Sequence, residues 1–469
     1  MRRTKIVCTV GPSSEAPDIL RGMIEAGMDV ARINFSHGTA VQHGRRVSLI
    51  RQIASDLGRN VALLGDLGGP KLRTGTVSKA PVLLNAGDPF TLTTEPLAGD
   101  WRGVSVSFPG LPEAVKPGES VLLNDGAIEL VVESVTARSV QTRVRVGGLL
   151  GAHKGVNIPG RTLAISAFTA KDREDAGFAL AQDFDWLALS FVRNPDDLRA
   201  VRKWISDSGA AVPLIAKIEK GEAIQALDGL LAESNGAMVA RGDLGVEVGL
   251  EEVPFLQKEI ITAALSRSVP VIVATHMLES MTTQPRPTRA EVTDVATAVL
   301  DGADAIMLSE ETASGRYPVE AVRMMSRIAE HAERHIDRSR FMALTRRNQD
   351  VPGAVAQAVC ALAGEVGASA ILVPTWAGET PLRVASRRPT QPVIALTHEP
   401  RVRRRLALAW GTIALPVPEV DTVDEVIATS IRAARAAEYV TAGDLVVVAY
   451  GQPRKQSGTT NLIEVVRVE

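Results

Sequence analysis

Eight apolar runs of strand length, most of them followed by a stretch with helical spacing, constrain this chain more than any other feature. They are KIVCTV, MDVARINF, VALLGDL, WLALSF, PLIAKI, AMVARG, VIVATH and AIMLS. Between them lie APDILRGMIEAG, TAVQHGRRVSLIRQIASDLG, KDREDAGFALAQ, NPDDLRAVRKWI, GEAIQALDGLLAES and EEVPFLQKEIITAALSRS, whose apolar residues recur every three to four positions. Alternating strand and helix implies a parallel sheet. Eight such units predict a closed (β/α)8 TIM barrel, an α/β fold whose functional loops gather at the carboxyl ends of the strands.

The third unit departs from this rhythm. After VALLGDLGGPKLRTG the chain reads as short β-runs and turns, DPFTLTT, ESVLLNDGAIELVVESV and QTRVRVGGLL among them, and the βα rhythm resumes near ISAFTAKD. A β-rich insertion there would cover the barrel mouth as a lid and exclude water. Beyond the basic connector RSRFMALTRRNQD, the runs ASAILVP, PVIALTH, TIALPV and DLVVVAY predict a separate α/β unit. The expected domains are residues 1–70 with 159–338 (catalytic barrel), 71–158 (lid) and 339–469 (C-terminal regulatory domain), in keeping with a chain of 469 residues that is 45% hydrophobic.

Composition removes several function classes. With 52 basic and 54 acidic residues the net charge is −2, so no general nucleic-acid or anionic-membrane surface is expected. Cys8 and Cys360 both lie in apolar runs, which argues against disulfides and a zinc cluster. MRRTKIVCTVGPSS has no long apolar segment and no later stretch approaches a membrane span, so a cytoplasmic protein is expected.

The chemistry concentrates where the strands end. A parallel-barrel strand should be almost continuously apolar, yet these terminate in Thr9, Arg32 and Asn34, Asp66, Ser190, Lys217 and Glu219, Arg241 and Asp243, Thr275 and His276, and Ser309. Lys217 and Glu219 are two residues apart and share one face of a strand. Glu219 and Asp243, on adjacent strands, offer the hard oxygens that Mg2+ or Mn2+ takes when it also binds a phosphorylated substrate. Lys217 would place a charge where phosphoryl or enolate charge develops. Spacing alone equally allows a salt-bridge cluster inside the barrel. Gly242 would let backbone approach a ligand, and a helix starting there would offer its amides to a carboxylate. RINFSHG, with Arg32, Asn34, Ser36 and His37, crowds a turn near TVGPSS and suits nucleotide phosphates, although neither GxxxxGK[ST] nor GxGxxG occurs at a strand-to-helix turn.

CTVGPSS, VARINFSHG, AKIE, VARGDLGVE, ATHMLESM, PRPTRAEVTDVATAVLDGADAIMLS and KGVNIPG together resemble the pyruvate kinase family over essentially the whole chain, more loosely in the C-terminal domain. The resemblance implies transfer of a phosphoryl group between phosphoenolpyruvate and ADP, giving pyruvate and ATP, on a barrel with a mobile β-barrel lid and an allosteric α/β domain, assembled as a homotetramer. It implies Glu219 and Asp243 as ligands of Mg2+ or Mn2+, and Lys217 as the charge on the transferred group. Gly242, Asp243 and Thr275 would hold the substrate carboxylate, Arg32 and Arg73 its phosphoryl side, and Asn34, His37, Arg73 and Lys154 the nucleotide phosphates. Thr275 or Ser309 would belong to the network that delivers a proton to the enolate. For Asp125 in LNDG, a hairpin turn is nearly as good a reading.

Three departures from the family pattern carry expectations. DLGGPKLRTG has Lys71 where DTKGPEIRTG has glutamate, and Leu67 where a threonine would join Asn34, Ser36 and Asp66 around K+. The Lys71 ammonium would replace that ion, so activity without K+ is expected; the plain alternative is a solvated lysine at the lid hinge. His276 stands where glutamine is usual and Glu310 where glycine is common, beside the proposed proton-delivery residues. In PTWAGETPLRVA, Trp376, Ala377 and Glu379 replace a serine-rich phosphate loop, and Glu379 would repel a phosphate. Thr380 and the GQPRKQSGTTN loop leave room for another phosphorylated effector. Competing functional readings are a metal-dependent barrel lyase or aldolase that forms pyruvate enolate, and a metabolite-binding homologue without turnover.

Overall fold

The computed structural model describes residues 2–161, 165–344, 350–451 and 460–469. Eight parallel strands close into a barrel: β1 (Lys5–Thr9), β2 (Val30–Asn34), β3 (Ala62–Leu67), β4 (Trp186–Leu189), β5 (Leu214–Ile218), β6 (Gly236–Ala240), β7 (Val271–Ala274) and β8 (Ala305–Leu308). Each pairs with its sequence neighbours, and β8 returns to β1 through Lys5–Ala305 and Ile6–Ile306.

Strand periodicity sorts the side chains. Val7, Val30, Leu64, Ala188, Ile215, Met238, Ile272 and Met307 fill the barrel, and Ala407 and Leu408 of the C-terminal domain join them in the same core. The alternate residues, such as Ile6, Ile33, Leu63, Leu67, Leu189 and Ile218, face the helices outside. Continuing the inward parity toward the carboxyl ends brings Thr9, Arg32, Asp66, Ser190 and Lys217 into the top of the interior.

The opposite end is built by one motif used four times. Asp29, Asp185, Asn235 and Asp304 immediately precede β2, β4, β6 and β8. Each backbone amide donates to the carbonyl of a residue one strand earlier (Ile6, Leu63, Leu214 and Val271, at 2.8–3.1 Å). Each side-chain oxygen then accepts the N–H of that same residue, again at 2.8–3.1 Å. An arginine meets all four side chains: Arg2 at Asp29, Arg51 and Arg404 at Asp185, Arg202 at Asn235 and Arg388 at Asp304. The short polar side chain thus fixes strand stagger while its remaining lone pairs take a cation.

The lid is a six-stranded sheet and a two-stranded sheet around an apolar core of its own. Asn124 and Asp125 both adopt φ of 54°, turning the hairpin between strands Ser120–Leu123 and Ile128–Val135, so Asp125 is a turn residue. The tip lies over the barrel: a Cβ at Gly126 would stand 3.5 Å from Val246. The C-terminal domain has the four anticipated strands, Ala370–Pro374, Val393–Thr397, Thr412–Pro416 and Leu445–Gly451, all parallel. A fifth at Thr460–Arg467, absent from the sequence reading, runs antiparallel along the edge.

Candidate active site

The mouth is organised around Lys217, whose ammonium lies 2.6 Å from Ser190 Oγ, 2.8 Å from Glu219 Oε1 and 3.2 Å from Asp66 Oδ1. Asp66 is held at its other oxygen by Arg32 Nε (2.7 Å), and Arg32 Nη1 donates to Thr9 Oγ1 at 2.8 Å. Register explains the grouping, since Thr9 pairs with Arg32 and Asn34 with Asp66 on adjacent strands. Burial pulls the Lys217 pKa down, but Asp66 and Glu219 together overrule it and hold the ammonium above its ordinary value. Burial likewise opposes ionisation of Asp66, which Lys217 and Arg32 reverse, leaving its carboxyl below the usual range.

Glu219 is 1% exposed. Its Oε2 accepts the Phe191 amide at 2.7 Å, whereas Oε1 has no hydrogen-bond partner although the Lys217 ammonium is close. Oε1 is engaged by Lys217 as an ion pair at 2.8 Å, and a carboxylate oxygen with one such partner still has a lone pair for a cation. Burial, with Asp243 adding to it, raises the Glu219 pKa against the pull of Lys217. A carboxylate destabilised by burial and by a second carboxylate, with a lone pair to spare beyond its lysine, fits a divalent cation. Among the described residues there is no group of three or more His, Cys, Asp or Glu able to hold a metal. A cation here would therefore complete its shell with substrate oxygens and water, as Mg2+ commonly does.

Asp243 sits in the first turn of the helix Arg241–Val248 that begins directly after β6. Gly242 N donates to Thr275 Oγ1 at 2.8 Å, and Thr275 Oγ1 donates to Ala274 O at 2.6 Å. Thr275 and His276 both have positive φ, 73° and 54°, which turns the chain sharply as β7 ends. Arg241 is drawn away from the mouth by Asp294 (2.6 Å) and the Thr275 carbonyl (2.6 Å). Ser309 precedes the helix Glu310–Ala313 without a side-chain capping bond, and its amide donates to buried Glu311, which also takes the Leu278 amide.

From the lid side, Arg73 reaches the His153 carbonyl at 3.1 Å, and Lys154 is exposed. The Asn34 side chain accepts the Ser36 amide at 3.1 Å. His37 is depressed below its ordinary pKa by burial and by the positive charges of Arg73 and Arg32. His43 supports this turn from behind, packed edge-on to Phe35 and 3.1 Å from where a Gly38 Cβ would stand.

The expected monovalent-cation group is arranged differently. Leu67 belongs to the outer core, because parity turns its side chain away from the interior; only its carbonyl is engaged there, accepting from Ser190 Oγ at 2.7 Å. A threonine hydroxyl at 67 would face the same core, so the contrast drawn from that side chain falls. The Lys71 ion pairs run to Asp243 (3.2 Å) and Asp125 (3.4 Å); among the described residues none joins it to Asn34, Ser36 or Asp66. Burial lowers the Lys71 pKa, but Asp243 and Asp125 outweigh it and raise it. His276 lies on the rim, its ring 3.7 Å from Glu279. Trp376 stacks on His398, and Thr380 meets Thr460 at 2.5 Å. Most of the GQPRKQSGTTN loop, residues 452–459, lies outside the described residues. Sequence reasoning left Ser190 without a role and missed Phe191 and Glu311. The first two touch Lys217 and Glu219, and the third touches the Ser309 amide.

A family model described as pyruvate kinase, barrel domain, matches residues 1–322, and one described as pyruvate kinase, alpha/beta domain, matches residues 353–466. The chain belongs to the pyruvate kinase family. It is similar to pyruvate kinase 2 of Synechocystis, at 45% identity over 99% of this chain and 79% of the relative. It is also 41% identical to the pyruvate kinase of Clostridium acetobutylicum over the full length of both. Among solved structures, a pyruvate kinase from Cryptosporidium parvum superposes with a TM-score of 0.93 at 36% identity, covering 100% of this chain and 96% of the other. As a pyruvate kinase, the chain is a phosphotransferase. Among the described residues no helix is long and apolar enough to cross a membrane.

Proposed function

We propose that the pyruvate kinase reaction, phosphoryl transfer from phosphoenolpyruvate to ADP in glycolysis, is distributed over this mouth as follows. Glu219 and Asp243 hold Mg2+ or Mn2+, which neutralises phosphoryl charge when bound. Lys217, fixed by Ser190 and Asp66, presents its ammonium to the transferred group or the enolate, where charge develops in a nearly dry site. Arg32 and Arg73 flank the phosphoryl side from barrel and lid. Gly242, Asp243 and Thr275 receive the carboxylate at the start of the short helix; the Gly242 amide must exchange its bond to Thr275 to do so. Asn34, His37, Arg73 and Lys154 line the nucleotide phosphates, and Thr275 or Ser309 joins the proton-delivery network.

The observation that carries this reading is the buried Glu219 carboxylate, paired through Oε1 with the Lys217 ammonium and facing a second carboxylate, Asp243, that opposes its ionisation. A salt bridge formed only for stability would gain nothing from that second acid.

Domain limits follow the sequence reading: 1–70 with 159–338, 71–158 and 339–469. Lys71 delivers a positive charge between Asp243 and Asp125, at the seam of barrel and lid, so K+ is not required. The chain works in the cytoplasm as a homotetramer and binds phosphoenolpyruvate or pyruvate, ADP or ATP, and a phosphorylated effector, but neither nucleic acid nor membrane. A coupled assay of pyruvate release from phosphoenolpyruvate tests the reaction and discriminates it from a lyase: release should require ADP. Repeated at saturating substrates in tetramethylammonium buffer, turnover should exceed about a tenth of that in potassium buffer, the factor corresponding to one weak ionic interaction; less would refute the role given to Lys71.

A further inference from the structure

We propose that the Ser190–Phe191 turn, which ends β4, is the positioning element for both the reactive lysine and the metal-binding carboxylate. The inference rests on the roles given above to Lys217 and Glu219.

The hydroxyl of Ser190 has one proton, and it goes to the Leu67 carbonyl at 2.7 Å. Its lone pairs are therefore left facing the Lys217 ammonium, 2.6 Å away. This is the shortest polar contact of Lys217, ahead of the ion pairs to Glu219 at 2.8 Å and Asp66 at 3.2 Å. Ser190 thereby fixes where the ammonium points. Phe191 acts through its backbone. Its φ of 56° is a left-handed conformation that bulky residues avoid, and it turns the Phe191 amide onto Glu219 Oε2 at 2.7 Å. Oε1 is the oxygen left over for a cation.

Neighbouring elements hold the turn in place. Gly69, itself at φ of 63°, admits it, since a Cβ there would stand 2.9 Å from the Phe191 ring and 3.0 Å from Ser190 Cβ. On another side, the Lys220 ammonium lies 6.0 Å from the Phe191 ring centroid. Without the Ser190 hydroxyl, the ammonium would lose the neutral partner that shares it with the carboxylates, lean wholly on Oε1 and Asp66, and compete at Oε1 with the divalent ion.

Direct Mn2+ binding by electron paramagnetic resonance, on the full-length chain without substrates, separates this inference from the reading beneath it. Glu219→Gln should abolish binding; binding unchanged in that variant would overturn the metal assignment itself. With that loss in hand, Ser190→Ala should weaken Mn2+ binding and lower kcat, each by about 10- to 100-fold, the range for partners that orient ligating groups, while KM for phosphoenolpyruvate changes less. Ser190→Thr, which keeps the hydroxyl, should stay within about threefold of the parent in both. Thermal melting distinguishes misfolding from mispositioning. Wild-type Mn2+ affinity and kcat in Ser190→Ala, or a folded Ser190→Thr as weak as the alanine variant, would overturn the proposal.

Discussion

The two ends of the barrel both bury acids beside cations, yet they balance them differently. At the floor Asp29, Asp185 and Asp304 each take a backbone amide and at least one arginine, and Asn235 repeats the arrangement without charge. Arg388 is fully buried against Asp304 and stacks on Trp410, 4.9 Å from its ring. At the mouth, Glu219 Oε1 has the Lys217 ammonium as its one close cation, Asp243 shares Lys71 with the lid residue Asp125, and Thr275 and Phe191 hold strained backbone. Acids tied to backbone amides at one end, although Arg388 Nε beside them has no hydrogen-bond partner, and acids facing each other across the mouth at the other imply a division of labour: the floor fixes strand register, and the mouth keeps interactions in reserve for ligands.

That division is open to direct challenge. Lys217→Met should lower kcat by about 10³-fold, the scale for losing one positioned charge at a reacting centre, and lower the melting temperature only moderately, because Arg32 remains on Asp66 and Glu219 can take up a proton. A melting temperature that collapsed would make the mouth structural as well. Asp304→Ala should do the reverse. Leaving Arg388 buried and uncompensated should cost about 3–5 kcal/mol in urea unfolding, with kcat of the folded fraction within about twofold of the parent. Lys71→Glu should impose a requirement for K+, with turnover in tetramethylammonium falling by about tenfold and recovering when K+ is added.

The smallest expected effect concerns the wall behind the mouth. Burial, aided by Arg46 and Lys171, lowers the His43 pKa to about 4. An unfolded histidine takes up its proton near the ordinary value of 6.5, so the unfolded chain binds more protons across that interval. Stability should consequently fall as pH drops from 6.5 toward 4. His43→Leu should flatten that part of the curve in pH-dependent unfolding, and an unchanged slope would assign the acid sensitivity elsewhere.

Much of the mouth is legible before folding because strand parity is arithmetic. A polar residue at the end of an apolar run, two positions beyond an inward-facing apolar side chain, has to enter the barrel, and Arg32, Asp66, Ser190 and Lys217 all do. The same arithmetic corrects Leu67, which falls on the outward parity. The direction of Lys71 was not legible, since its partners come from β6 and the lid hairpin, distant in sequence and joined only by folding. Phe191 gives no sign in sequence that it will adopt positive φ, a conformation imposed by its surroundings against its own preference. The fourfold floor motif was visible as an Asp or Asn before every second strand, but its meaning depends on hydrogen bonds across strands. The C-terminal strand Thr460–Arg467 was missed beside the recognisable DLVVVAY run because its pattern, half-exposed along a sheet edge, alternates weakly.

The most direct measurement is anomalous diffraction from crystals soaked with Mn2+ and phosphoenolpyruvate. One peak should lie within ligating distance of Glu219 Oε1 and an Asp243 oxygen, with the phosphoryl group between it and the Lys217 ammonium. A peak bound elsewhere, or a phosphoryl group out of reach of Lys217, would contradict the assignment of the mouth as the catalytic centre.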